Sequence, residues 1–179
     1  NIIKSLVKAV EFKDKYTLGH AERVSGYALK IGMDMKLTKQ QLKDLSTSGL
    51  LHDIGKIGIP DSILNKNGPL DVVEFEYIRK HPVIGEDICK TIGSFDKVRE
   101  IIRHHHEKLN GTGYPDGIRG SEISLESRIM AVADIYDALT SDRSYRKSLE
   151  QDIVYTLMEN FVLKGELDGQ IVGSLFNIF

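Results

Sequence analysis

Apolar residues recur along most of the chain at intervals of three and four, the period of helices buried on one face. Ile2, Ile3, Leu6, Val7 and Val10 form the first such stripe, and Ala21, Val24, Ala28, Ile31 and Met35 the second. Thr38 with Gln41 three positions on has the form of a capping box, and it opens a helix whose stripe is Leu42, Leu45, Gly49 and His52. Val72, Phe75 and Ile78 predict a helix that ends at His81, because Pro82 disfavours helical geometry in the residue before it. Pro82 then suits the first turn of the next helix, which runs to about Ile92. Val98, Ile101, Ile102, His105 and Leu109 make a further stripe. Ser124 can cap a helix carrying Leu125, Ile129, Val132, Tyr136 and Leu139. Ser148 with Gln151 reads as a second capping box, leading Ile153, Leu157 and Phe161 up to Gly165. Ile171, Leu175 and Phe179 close the chain. Gly55 and Pro60 punctuate the middle, and a glycine-rich loop runs from Gly111 to Gly117. The pattern predicts an all-α bundle of about eight helices.

Composition narrows this picture. The chain has 179 residues, enough for one domain with a substantial core. Its formal net charge of −2 gives no basic excess with which to wrap a nucleic acid polymer. The single cysteine, Cys89, excludes an internal disulfide and a cysteine-rich zinc site, and it falls where a small core residue is expected. Lack of disulfides suits a reducing compartment, so a cytoplasmic location is expected. No apolar run approaches the 18 or so residues of a membrane span, and no signal peptide opens the chain. It begins with Asn1 rather than Met, as a piece of a longer protein would.

The candidate chemistry lies in histidines and carboxylates. Of six histidines, His52 and His105 sit on apolar stripes and should point inward. Asp134 lies in the otherwise apolar run Met130-Ala-Val-Ala-Asp-Ile, where an ionised carboxylate is costly unless a cation or donor meets it. Inward imidazoles and carboxylates without cysteines describe a site for hard or borderline divalent metals. His52 and Lys56 are four apart and Asp53 and Lys56 three apart, so on one continuous helix a single edge would present all three.

The segments Leu51-His-Asp-Ile-Gly-Lys-Ile-Gly-Ile-Pro60, His81-Pro82, His105-His106-Glu107, Gly111-Thr-Gly-Tyr-Pro115 and Val132-Ala-Asp-Ile-Tyr-Asp137-Ala-Leu-Thr-Ser-Asp-Arg143-Ser-Tyr-Arg146 stand in this order. Together they resemble the HD-GYP branch of the HD phosphohydrolase superfamily. The resemblance implies an HD-domain helical bundle, 1–179 as one domain, with residues 1–15 leading from an upstream sensor or receiver domain. It implies hydrolysis of the bacterial second messenger cyclic di-GMP to linear pGpG, with GMP as a further product left open. The cofactors would be two divalent ions per chain, iron or manganese. His20, His52, Asp53 and Asp134 would hold one ion, and His81, His105 and His106 the second, with Asp53 bridging both. Lys56 would contact phosphate beside the metals, and Asp137, Arg143 and Arg146 would belong to the substrate side. The Gly113-Tyr114-Pro115 loop would shape the site and could dock a GGDEF-type protein. The Ile2–Val10 stripe is a candidate homodimer contact.

Elementary chemistry agrees with these roles. A phosphodiester is anionic and has a poor leaving group. Two ions about 3.5–4 Å apart can generate a bridging hydroxide and neutralise the phosphate. A carboxylate bridges because it has two oxygens, and Arg143 can grip phosphate in a bidentate fork. Tyr16 stands one turn before His20, where some relatives carry an acid that helps to hold a third metal, so two ions rather than three are expected. Glu107 is expected to orient a ligand histidine, and His104 has no role that the resemblance assigns. The competing readings are a phosphohydrolase of another nucleotide, such as a mixed cyclic dinucleotide, and a non-catalytic module that binds the messenger or a partner. An oxygen-binding di-iron protein is disfavoured, because the carboxylate-rich ligand set of such bundles is missing.

Overall fold

The computed structural model describes residues 2–14, 18–93, 95–142 and 147–179, and nothing of the Ile2 side chain. Tyr16, Arg143 and Arg146 lie outside the described residues. Every regular element among those described is helical: α1 (Ile2–Lys13), α2 (His20–Asp34), α3 (Lys39–Leu51), α4 (Asp61–Leu64), α5 (Val72–Ile78), α6 (His81–Cys89), α7 (Asp96–His104), α8 (Leu125–Thr140), α9 (Gln151–Leu163) and α10 (Gly169–Ile178). Two tight 3-10 turns, Ile54–Gly58 and Gly120–Glu122, complete the set.

α8 is the centre. Its Ile129, Met130, Val132 and Ala133 have no exposed surface, and α2, α7, α9 and α10 pack around it. Val24, Ala28 and Ile31 of α2 enter the same core, as do Ile171 and Leu175 of α10. Burying each such aliphatic side chain contributes roughly 1.5–3 kcal/mol. A second apolar cluster joins Val7 and Val10 of α1 to Leu51, Ile54, Cys89, Val98 and Ile102. Val7 and Val10, expected as a dimer contact, are thus already covered by the chain's own bundle.

Local signals place most helix ends. Gln41 N donates to Thr38 Oγ1 and Thr38 N to Gln41 Oε1, the expected capping box of α3. Asp71 and Glu74 form a second such box at α5, one that the apolar pattern did not show. Ser124 caps α8 through Ser127 N. Ser148 does not cap α9, which starts at Gln151 without a side-chain cap. Its backbone N–H donates to Asp142 Oδ1 at 2.7 Å, and Leu149 N to the Leu139 carbonyl at 3.0 Å. These bonds hold the chain extended past Ser148, so the helix begins later. α5 stops at Ile78, and His81 opens α6 with Pro82 in its first turn, where the missing N–H costs nothing.

A further departure is at His52–Lys56. α3 ends at Leu51, and the chain tightens into the 3-10 turn Ile54–Gly58 instead of continuing as α-helix. Close packing causes this. A Cβ on Gly55 would stand 1.9 Å from the His81 carbonyl and 2.5 Å from Gly85 N, so α6 lies directly on this backbone.

Candidate metal centre

Four of the seven expected ligands stand at helix ends. His20 is the first residue of α2, His52 follows α3, His81 opens α6 and His105 follows α7. Asp53 and His106 come one residue after His52 and His105, and Asp134 projects from the middle of α8.

One local device sets three of the rings. His52 Nδ1 donates to the Gly49 carbonyl at 2.9 Å, His81 Nδ1 to Ile78 at 2.7 Å, and His105 Nδ1 to Ile102 at 2.6 Å. In each case the acceptor is three residues earlier, one of the carbonyls that a helix end leaves without an intrahelical partner. In a neutral ring the bond fixes the tautomer and leaves the lone pair on Nε2, and burial keeps His81 and His105 neutral. His81 Nε2 and His105 Nε2 then face one another at 3.3 Å, two lone pairs with no hydrogen between them. That arrangement is repulsive unless a cation lies against both, which is the strongest sign that the residues fit a metal.

His20 is held differently. Its Nδ1 bonds Asp137 Oδ2 at 2.7 Å, and Asp137 also takes Arg23 Nε at 2.6 Å and Arg23 Nη2 at 3.0 Å. Asp137 is 1% exposed and lies behind the histidine. This differs from its expected place on the substrate side: Arg23, one turn after His20 on α2, draws the carboxylate inward. The arrangement is a carboxylate that orients His20, as carboxylates behind metal-bound histidines do.

The ligand atoms gather in groups. Those of His20, His52 and Asp134 lie within 4.8 Å of one another, as do those of His81, His105 and His106. Asp53 stands between, with Oδ1 3.5 Å from His81 Nε2 and Oδ2 3.5 Å from His52 Nε2. Its two oxygens therefore face the two groups separately. Lys56 Nζ sits 2.8 Å from Asp53 Oδ2, so the 3-10 turn delivers the lysine that the helical spacing was expected to deliver.

The protonation states suit metal binding. Burial alone would push the Asp53 carboxyl up, but the Lys56 ammonium and the surrounding imidazoles hold it well below the carboxylate range. Burial likewise opposes ionisation of Asp134, and His20 and its neighbours bring that carboxyl far down. Burial lowers His81, His105 and His106, the last to about 3, so all three are neutral. Burial works to lower His20 too, yet hydrogen bonds to Asp134 and Asp137 raise it to about 9. Without an ion, a proton on His20 Nε2 serves Asp134 at 3.2 Å, in the place where a cation would stand.

This cluster floors a cavity of about 810 Å³ whose walls include Asp14, Lys56, Lys66, Asn67, Ile78 and Tyr114. The volume lies within the range of small-molecule sites. Tyr114 stacks on His106 at 4.8 Å between centroids, and the Arg79 guanidinium lies over the Tyr114 ring, 5.0 Å from its centroid. Gly113 permits the turn, since a Cβ there would stand 2.4 Å from Lys108 N. Glu107 does not orient a histidine: its Oε1 accepts from Asp116 N at 2.7 Å and Gly117 N at 3.0 Å and so holds the tyrosine loop. His104 turns outward to Asp116 at 3.1 Å. Sequence reasoning missed Arg23 and Asp14. The i, i+3 spacing of His20 and Arg23 puts them on one face of α2 but does not name Asp137 as their shared partner.

A family model described as HD domain matches residues 4–170. The chain is 40% identical over 158 residues to 3'3'-cGAMP-specific phosphodiesterase 3 of Vibrio cholerae, covering 88% of this chain and 34% of the relative. It is 40% identical over 150 residues to cyclic di-GMP phosphodiesterase PA4108 of Pseudomonas aeruginosa, covering 82% of this chain and 36% of the relative. The chain therefore spans about a third of the length of these curated relatives. Among solved structures it resembles Bd1817, a HDG"Y"P protein from Bdellovibrio bacteriovorus, with TM-score 0.73 and 26% identity over 89% of this chain and 51% of that one. With the helical fold, the histidine–aspartate cluster and the matched span in agreement, this chain belongs to the HD domain family.

Proposed function

We propose that the chain is a metal-dependent phosphodiesterase that opens cyclic di-GMP to linear pGpG. The observation that carries this reading is Asp53, whose Oδ2 faces His52 and His20 and whose Oδ1 faces His81, on the floor of one cavity. His20, His52, Asp53 and Asp134 would hold one divalent ion, iron or manganese, and Asp53, His81, His105 and His106 the other. Bound there, the ions would supply charge neutralisation and Lewis-acid activation at a phosphodiester.

The chain's own groups do the rest. Nδ1 anchors keep the rings oriented before substrate arrives. Lys56 is held cationic by Asp53 and Asp14 despite burial, and it offers a point charge to a phosphate oxygen. Burial raises the Tyr114 phenol, so it stays protonated at the cavity wall and can donate a hydrogen bond. Arg143 and Arg146 would grip phosphate on the substrate side. Water adds across one P–O3′ bond, leaving a 5′-phosphate and a free 3′-hydroxyl. An upstream regulatory domain and a GGDEF-type partner at Gly113-Tyr114-Pro115 belong to the same reading.

One observation favours a second substrate. Several relatives, including the one at 40% identity over 158 residues, are named for 3'3'-cGAMP. The test is to load the protein anaerobically with iron or with manganese, measure metal content, and follow cyclic di-GMP and 3'3'-cGAMP by product chromatography. Expected are two ions per chain and faster opening of cyclic di-GMP. Binding of the dinucleotide without cleavage under either metal would end the enzyme reading, and faster opening of 3'3'-cGAMP would reassign the substrate.

A further inference from the structure

α1 ends against the site. Lys13 Nζ donates to the carbonyls of Ile57 at 2.6 Å and Ile59 at 2.7 Å, and Asn65 Nδ2 donates to the Lys13 carbonyl at 2.9 Å. These bonds fasten the end of the helix to the segment that follows His52–Asp53. Asp14, the next residue, is 4% exposed and lines the cavity. Its Oδ2 lies 2.9 Å from Lys56 Nζ. The Lys56 ammonium thus has two carboxylates, Asp53 Oδ2 at 2.8 Å and Asp14 Oδ2 at 2.9 Å.

The second carboxylate matters because the first has other work. A lysine ammonium is a compact charge on a flexible stem and takes its position from its partners. With Asp53 as its sole partner, Lys56 would neutralise the oxygen that faces His52 and His20. Asp14 draws part of that pairing away and holds the ammonium over the cavity.

We propose that Asp14 is a positioning residue for Lys56, and that the seating of α1, which Asp14 directly follows, sets how well the site works. The idea rests on the phosphodiesterase reading for its effect on turnover, but not for the contact itself. In the manganese-loaded protein, Asp14→Asn should lower kcat on cyclic di-GMP about 10- to 100-fold, as loss of a group that orients a site residue does, with metal content retained. Asp14→Glu should recover part of the loss. In a Lys56→Met background, adding Asp14→Asn should change kcat no further, since the carboxylate would have nothing left to position.

A second measurement needs no turnover. Reductive methylation of Lys56, followed by peptide mass spectrometry on chelator-treated protein, should be slow in the wild type and several-fold faster in Asp14→Asn. Lys13→Met, which loosens the end of α1, should shift it in the same direction. Unchanged methylation of Lys56 in Asp14→Asn would overturn the proposal. So would an additive loss of kcat in the Lys56→Met background, or loss of bound metal, which would make Asp14 a ligand instead. If the wild type cleaves neither dinucleotide, the phosphodiesterase reading falls and methylation alone decides the role of Asp14.

Discussion

The floor and the rim of the cavity are built on different principles. On the floor four of the histidines, His20, His52, His81 and His105, are fixed twice, once by a helix end and once by a hydrogen bond to a carbonyl or carboxylate. The helix that supplies Asp134 is also the centre of the apolar core. The rim is formed by residues 61–80, and neither α4 nor α5 buries a single residue. It is held by polar ties: Asn65 to the Lys13 carbonyl, the Asp71–Glu74 capping box and the Lys66–Glu74 pair. Segments with few buried apolar contacts open at low free energy, whereas core elements open only with global unfolding. The contrast separates two demands. Metal chemistry needs donors whose geometry does not wait on a ligand, and a bulky ligand entering the cavity needs a wall that yields.

The largest break in this contrast comes from Asp53. It faces both ligand groups, so Asp53→Ala should abolish hydrolysis and bring bound metal well below two per chain by elemental analysis. Retention of full metal and activity would refute a shared carboxylate. Asp137 gives a smaller effect on the same floor. Asp137→Asn keeps the shape but removes the charge that holds His20 Nδ1–H. Metal affinity at the group containing His20 should fall about 10- to 100-fold in a metal titration, with the His81–His105–His106 group unaffected. Equal weakening of both groups would mean that His20 is not confined to one of them.

Much of the floor was legible in the sequence because its residue types are improbable where they stand. An aspartate inside Met130–Ile135 and histidines on apolar stripes advertise themselves, and the family motifs supply the roles to be expected of them. What the sequence withheld was direction. Asp137 lies three residues after Asp134, and nothing in that spacing says that Arg23 will pull it behind His20. Helical periodicity correctly put Lys56 beside Asp53 but for the wrong reason, since contact between Gly55 and α6 forces a 3-10 turn there. The rim was the least legible part. α4 has no apolar stripe, and the stripe read on α5 has Val72 and Phe75 substantially exposed rather than buried.

The smallest effect tests the comparison most directly, because it asks for near silence. Ile129 on α8 has no exposed surface, whereas Val72 on α5 is 81% exposed. Truncating a fully buried aliphatic side chain removes its transfer free energy and leaves a cavity, so Ile129→Ala should cost about 2–5 kcal/mol in urea unfolding. The same change at an exposed position removes few contacts, so Val72→Ala should stay within about 0.5 kcal/mol of wild type. Ile129→Ala should also weaken metal binding, because Asp134 rides on the same helix, and Val72→Ala should leave it unchanged. A cost above about 1 kcal/mol for Val72→Ala that grows with protein concentration would show that the apolar rim is covered in solution by a second copy. The rim would then be an interface rather than a yielding wall, and the contrast with the floor would fail at that point.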